Sequence, residues 1–209
     1  MRNIPNLRCN IKLAERKLRQ LIREFYLLTE AALSPSDAQR KGIKFKIKDR
    51  RQAEYIEIRA YYRNDNTTAG FLSCHKENDP CLGAWSIDGS YVYIDGLGPL
   101  MYDLMIDLVN PDPLTSDRVN VSHNAHRVWD YYHAKRPDIR SQQLDDIEAP
   151  RTKDPEDDCV QSSARIWSDD MYGTEEMWPE SSLSKAYKRA DGQTSTLDAL
   201  LELDLIVYA

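Results

Sequence analysis

The sequence predicts an α+β fold: a mixed, mainly antiparallel central sheet flanked by helices, with an extended acidic loop and a C-terminal helix and strand. Three observations carry this. Ile43, Phe45 and Ile47 alternate with lysines, and Ile56, Ile58 and Ala60 alternate with Glu57 and Arg59, the period-two pattern of half-buried strands. Gly96-Leu97-Gly98-Pro99 joins a β-branched and aromatic run, Tyr91 to Ile94, to an apolar helix pattern, Leu100 to Val109. The tail then regains pattern, with Leu197, Leu200 and Leu201 after Ser195 reading as a short capped helix and Leu205 to Tyr208 as a final strand.

Taken in order, Leu13 to Leu33 reads as a first long helix, because Leu18, Leu21, Ile22, Phe25 and Tyr26 recur close to helical spacing among charged residues. Ser34-Pro35-Ser36-Asp37 breaks it. Lys44 to Lys48 and Ala53 to Tyr62 follow as strands, and Thr68 to His75 returns antiparallel across the Asn64-Asp65-Asn66 turn. Cys81 to Ile94 holds one or two strands, interrupted near Asp88-Gly89. The helix after the glycine turn ends at Asn110-Pro111-Asp112-Pro113. Leu114 to Val121 leads to Ser122, a good N-cap for a helix to about Lys135 that stops before Pro137. From Ser141 to Trp178 the composition turns to Asp, Glu, Ser and Pro, read as an acidic loop. The expected division is 1–146 as the main domain, 147–182 as the acidic extension and 183–209 as a segment packing back on the domain.

The chain has 209 residues, 41% of them hydrophobic, and a net charge of -6, which argues against a protein that coats nucleic acid; no direct nucleic-acid contact is expected. Residues 40–51 nevertheless hold a basic run, Lys41, Lys44, Lys46, Lys48, Arg50 and Arg51, read here as an edge strand whose lysines block aggregation. No apolar run suggests a signal peptide or a membrane span. With four cysteines, Cys9, Cys74, Cys81 and Cys159, the expectation is a cytoplasmic protein with reduced thiols. Cys74-His75 and Cys81 have no second closely spaced pair of ligands, so no metal is expected.

A glycine turn between a strand and a helix can hold a phosphate. The backbone approaches closely where Cβ is absent, and the first helical N–H groups lie unpartnered at the positive end of the dipole. Pro99 suits the first helical position, at the loss of one donor.

Gly96-Leu97-Gly98-Pro99-Leu100-Met101-Tyr102-Asp103, Leu114-Thr115-Ser116-Asp117-Arg118 and the set Ser122, Ala125, Val128-Trp129, Tyr131-Tyr132 and Arg136 carry a more specific signal. Together with Ser195-Thr196-Leu197-Asp198-Ala199-Leu200, they resemble the GNAT N-acetyltransferase superfamily, in a divergent group encoded largely by tailed bacteriophages. The resemblance covers roughly Tyr55 to Asp146 plus the tail.

What it implies is an acetyl-CoA-dependent N-acyltransferase acting on an amine of a protein or small molecule. Leu97, Gly98, Leu100 and Met101 would contact the acyl-CoA, Gly96 would shape the turn, and Ser122 and Trp129 would flank the pantetheine arm. A bulge would splay the strand before the turn from its neighbour. Phage encoding would place the protein in the host bacterial cytoplasm or in the virion. The mechanism needs a base, for which Asp88, Glu77 and Asp95 lie in the right strand region, and an acid for the departing thiolate. In the family pattern Asn-x-x-Ala-x-x-x-Tyr, Ser122 stands at the asparagine and Trp129 at the tyrosine, and indole is no general acid; Tyr131 or Tyr132 would take that role. The alternative is a catalytically inactive GNAT-like protein with a structural role in the virion or a host-protein partner.

A serine-hydrolase reading from Ser122, His123, His126 and His133 lacks a Gly-x-Ser-x-Gly elbow. A dinucleotide reading of Gly96-Leu97-Gly98 lacks the third glycine and the following βαβ unit.

Overall fold

The computed structural model describes residues 32–78, 80–172 and 175–209, with side chains omitted at 168–172 and 175–177. The helix expected from Leu13 lies outside the described residues. The described chain is α+β, a mixed eight-stranded sheet with five helices. Helix α1, Pro35–Arg40, opens on a capping box in which the Ser34 hydroxyl accepts from Asp37 N–H and the Asp37 carboxylate accepts from Ser34 N–H. Strands β1 (Ile43–Arg50), β2 (Tyr55–Tyr62), β3 (Thr68–Lys76) and β4 (Trp85–Val92) form an antiparallel meander, each paired with the next in sequence. Alternation sends Ile43, Phe45, Ile47, Ile56, Ile58 and Leu72 to the core and the lysines of β1 to the opposite face.

After β4 comes α2, Leu97–Val109, then β5, Leu114–Thr115, and α3, His123–Lys135. Helix α2 begins three residues before the Leu100 start read from the pattern, because Gly96 takes the N-cap position with φ 78°, which glycine adopts without Cβ strain. Pro99 is therefore the third helical residue and not the first. The turn sits close on the sheet: a Cβ on Gly70 of β3 would lie 2.9 Å from Met101 Sδ and 3.2 Å from a Leu97 methyl.

The acidic stretch is not one extended loop. It contains β6 (Ile139–Gln143), β7 (Asp145–Asp146), β8 (Asp158–Cys159) and α4 (Ser162–Tyr172), with β7 and β8 paired as a small parallel sheet. Composition misled here because the carboxylates have local partners: Asp145 accepts from the backbone N–H of Arg151 and Thr152 at 2.6 Å each, and Arg165 pairs with Asp146 and Glu148. Strand β9, Lys185–Arg189, enters the main sheet between β5 and β6; α5, Ser195–Glu202, and β10, Ile206–Tyr208, complete it. The sheet order is β10-β1-β2-β3-β4-β5-β9-β6, parallel at β10–β1 and β4–β5 and antiparallel elsewhere. Strand β1 is thus an edge only in part, since β10 lies outside it at Phe45, Lys46 and Ile47.

Two further expectations are corrected. Cys81 and Cys159 form a disulfide, so at least these two thiols are not reduced, and Cys81 is not available to a metal; Cys74 is free and buried. Helix α5 is not capped by a hydroxyl at its own start. Its first N–H groups, from Thr196 and Leu197, donate to Asp107 Oδ2 of α2 at 2.8 and 2.9 Å. Arg189 of β9 donates to the other oxygen of Asp107 at 2.6 Å, which ties α2, α5 and the sheet together in the interior. No helix among the described residues is long and apolar enough to cross a membrane.

Candidate functional site

The site arises where β4 leaves β5. The β3–β4 ladder pairs Ser73 with Gly89 and Cys74 with Ile87, so Asp88 is the extra residue of a β-bulge. On its other side β4 pairs with β5 only at Trp85–Leu114 and Ser86–Thr115. Beyond Ser86 the two diverge, leaving a cleft of about 230 Å³. Its β4 wall is Ile87, Asp88, Gly89 and Ser90. Asp117, Asn120 and Val121 line the opposite side, with Ser122, Ala125 and Trp129 from α3 and Tyr102 from α2.

Local sequence explains how these groups are held. Asp117 Oδ1 accepts from Val119 N–H at 2.7 Å and from Asn120 N–H at 2.9 Å, an Asx-type turn that fixes the carboxylate in the wall. Ser122 is the N-cap of α3, its hydroxyl accepting from Ala125 N–H at 3.2 Å. Trp129 is 1% exposed and packs edge-on to Tyr102, ring centroids 5.3 Å apart, and against Tyr187 at 5.2 Å. Tyr102 is buried, with its hydroxyl 3.4 Å from Ser90 Oγ; burial pushes its phenol up to about 12, so it stays protonated at neutral pH.

The sequence-derived residues fall into three groups. Asp88, Ser122 and Trp129 meet in the cleft. Gly96, Leu97, Gly98, Leu100 and Met101 form the turn and first turns of α2, with the side chains of Leu97, Leu100 and Met101 in the core and Gly98 half-buried at the surface. Leu97 N–H donates to Ile94 C=O at 3.2 Å and Pro99 has no N–H, so Gly98 supplies the open donor of the three residues that start the helix. Tyr131 and Tyr132 form the third group and are not among the lining residues. The Tyr132 hydroxyl donates to Asp103 Oδ1 at 2.8 Å, and Arg136 holds both oxygens of that carboxylate at 3.0 and 3.1 Å. Burial and then the Asp103 charge raise the Tyr132 phenol far above its ordinary range. Tyr131 is half-buried beside Arg136, whose guanidinium lies 5.9 Å from its ring centre.

Tyr102, Ser90, Asp117 and Asn120 were not singled out as functional residues by sequence. Helix α2 is buried nearly all round, so its apolar pattern has no phase that marks the face meeting the cleft. The seam between β4 and β5 depends on a two-residue strand that periodicity does not detect.

Architecture and cleft together define an α+β protein with a mixed sheet opened between two parallel strands. No protein-family model matches the chain. No curated protein sequence matches it either.

Proposed function

We propose that the chain is an acetyl-CoA-dependent N-acyltransferase of GNAT type, with its substrates in the β4–β5 cleft. The observation that carries this reading is the divergence of β4 from β5 at a bulge, directly before a glycine turn and the N-terminus of α2. The open edge of β4 offers backbone donors and acceptors to an extended amide-bearing arm, and Gly98 N–H with the α2 dipole offers an anion a seat one helical turn before Tyr102 of the cleft lining. The residues present fit such a ligand, with one open donor at the turn where a richer glycine loop would supply several. Acyl-CoA supplies an acyl group activated as a thioester.

The chain's own groups have separable tasks. Asp88 and Asp117 line the cleft as carboxylates that attract a cationic acceptor amine, and Asp88, exposed at the bulge, accepts the amine's proton through water. Tyr102 is the one phenol of the lining. With its proton held at about 12 it is a weaker acid than a thiol of ordinary value near ~8.5, so its task is to donate a hydrogen bond to the developing thiolate and not to surrender the proton.

A second reading, a GNAT-like protein that binds without catalysis, is favoured by the burial of Trp129 and by the use of the Tyr132 hydroxyl in the Asp103–Arg136 cluster. Acetyl-CoA titration by calorimetry, followed by mass spectrometry of an amine library incubated with labelled acetyl-CoA, separates the two. Heat and label transfer support the enzyme; heat without transfer supports a protein that binds without catalysis; no heat at millimolar cofactor removes the enzyme and leaves a structural or host-protein-binding role.

A further inference from the structure

The sheet face opposite α2 carries a row of cations beside a row of aromatic rings. Strand alternation puts Lys44, Lys46, Lys48 and Arg50 of β1 on this face, with Arg59 of β2 opposite Lys46. Arg59 is also opposite Phe71 of β3, and Phe71 is opposite Tyr91 of β4. The Phe71 and Tyr91 rings stack at 5.3 Å with planes 15° apart, Tyr93 follows at 5.5 Å, and the Arg59 guanidinium sits 5.5 Å from the centre of Phe71. Tyr91 is 46% and Tyr93 74% exposed. Two carboxylates are set among these cations: Glu57, bonded to Arg59 and Tyr55, and Asp204, 3.2 Å from Lys44 Nζ.

Edge protection does not account for the middle of the lysine row, because β10 pairs with β1 at Phe45, Lys46 and Ile47 and places Val207 opposite Lys46. Nor does the core use the rings, which lie on the side away from Ile58, Leu72 and α2. From Lys46 on β1 to Tyr91 on β4 the face spans three strand spacings, about 14 Å. That is the reach of a polymer of several units and not of one small anion.

We propose that this face is a binding site for single-stranded nucleic acid, with Lys44, Lys46, Lys48 and Arg50 on the phosphates and Tyr91 and Tyr93 stacking against unpaired bases. Cations beside open aromatic rings match the two chemistries such a strand presents, whereas a duplex hides its base faces. The net charge of -6 is an average over the molecule, and the acidic residues of 145–158 lie on other elements. The face adjoins the cleft wall at Gly89, where a Cβ would lie 3.4 Å from the Phe71 ring, and does not depend on acyl transfer.

Fluorescence anisotropy of the full chain with a labelled oligothymidylate of about 16 nucleotides tests this. Saturable binding is expected, weakening about a hundredfold between about 50 and about 200 mM salt. Lys46→Glu with Lys48→Glu, and separately Tyr93→Ala, each weaken binding about tenfold or more while the melting curve stays in place, since Lys46 and Tyr93 are exposed and Lys48 is half-buried. Absence of binding at the lower salt overturns the proposal, as does equal affinity in wild type and both variants. Tighter binding to the matching duplex, or to phosphatidylserine vesicles, also overturns it and assigns the face to a generic polyanion or a membrane surface.

Discussion

The β1–β4 meander and the β5–β9–β6 half of the sheet are built on different principles. In the meander every strand pairs with its neighbour in sequence over seven or eight register positions, and alternation alone decides which side chains enter the core. The other half assembles from distant pieces: β5 contributes two residues, and its partner β9 comes some 70 residues later in the chain. Polar contacts hold it, including Thr115 Oγ1 donating to Lys185 C=O at 3.0 Å and Arg118 bonded to Ser116, Ser163 and Leu183 in the interior. Burial lowers the Arg118 guanidinium to about 10, against the opposing pull of the Glu77 and Asp117 charges. The cleft lies at the seam because β5 is too short to follow β4 past its bulge.

Cutting the polar ties should therefore damage the second half most. Asp107→Ala leaves buried Arg189 with Asp138 as its carboxylate partner and uncaps α5, an expected loss of about 2–4 kcal/mol in chemical denaturation; a loss below about 1 kcal/mol would show that the tie is not structural. Reduction of Cys81–Cys159 releases a loop closed across 78 residues, with an expected cost of about 2–4 kcal/mol, concentrated as faster amide exchange in β7 and β8. Uniform exchange across the whole sheet would contradict a pin that acts where β8 is tied to the β3–β4 connection.

On the meander side, Gly70→Val forces a branched side chain against Met101 and Leu97, and about 1–3 kcal/mol should be lost together with the seat of α2. A variant as stable as wild type would mean that α2 is free to lift. The smallest effect is set by pH. The Arg136 guanidinium hydrogen-bonds Asp138 and holds its carboxyl down to about 2. A carboxyl lowered in the folded state stabilises above its unfolded value near 3.8, and this contribution is lost as pH falls from there toward 2. Asp138 is about half exposed, so less than about 1 kcal/mol is at stake. Asp138→Asn should flatten that part of the stability profile, and an unchanged acid limb would remove the pair from the explanation.

The same division governs what the sequence disclosed. Local signals were readable: the β2–β3 hairpin, the Ser122 cap, the end of α3 before Pro137 and the turn into α2 all stand where pattern placed them, within a few residues. The small sheet of β7 and β8, helix α4 and the central position of β9 were not, because they depend on pairings and ion pairs between residues far apart in sequence. At the site, Ser122 and Trp129 were found through a motif block and Asp88 through its strand region, whereas Tyr102 and Asp117 stand in motif blocks without a role there and acquire a cleft-facing position only when β4 and β5 separate. Tyr132 shows the opposite case. A tyrosine two helical turns beyond Ala125 looked available, yet packing turned its hydroxyl to Asp103.

The account's central claim is that the seam between the two halves is an acyl-CoA site entered over the glycine turn. Calorimetric titration of acetyl-CoA into wild type and Gly98→Trp tests it most directly, since Gly98 is half-buried and a Cβ there meets only ordinary contact, 3.8 Å from a Val92 methyl. Saturable heat in wild type that falls at least about tenfold in Gly98→Trp, with an unchanged melting temperature, is the predicted result. No heat in wild type at millimolar cofactor, or identical isotherms for the two proteins, would contradict it.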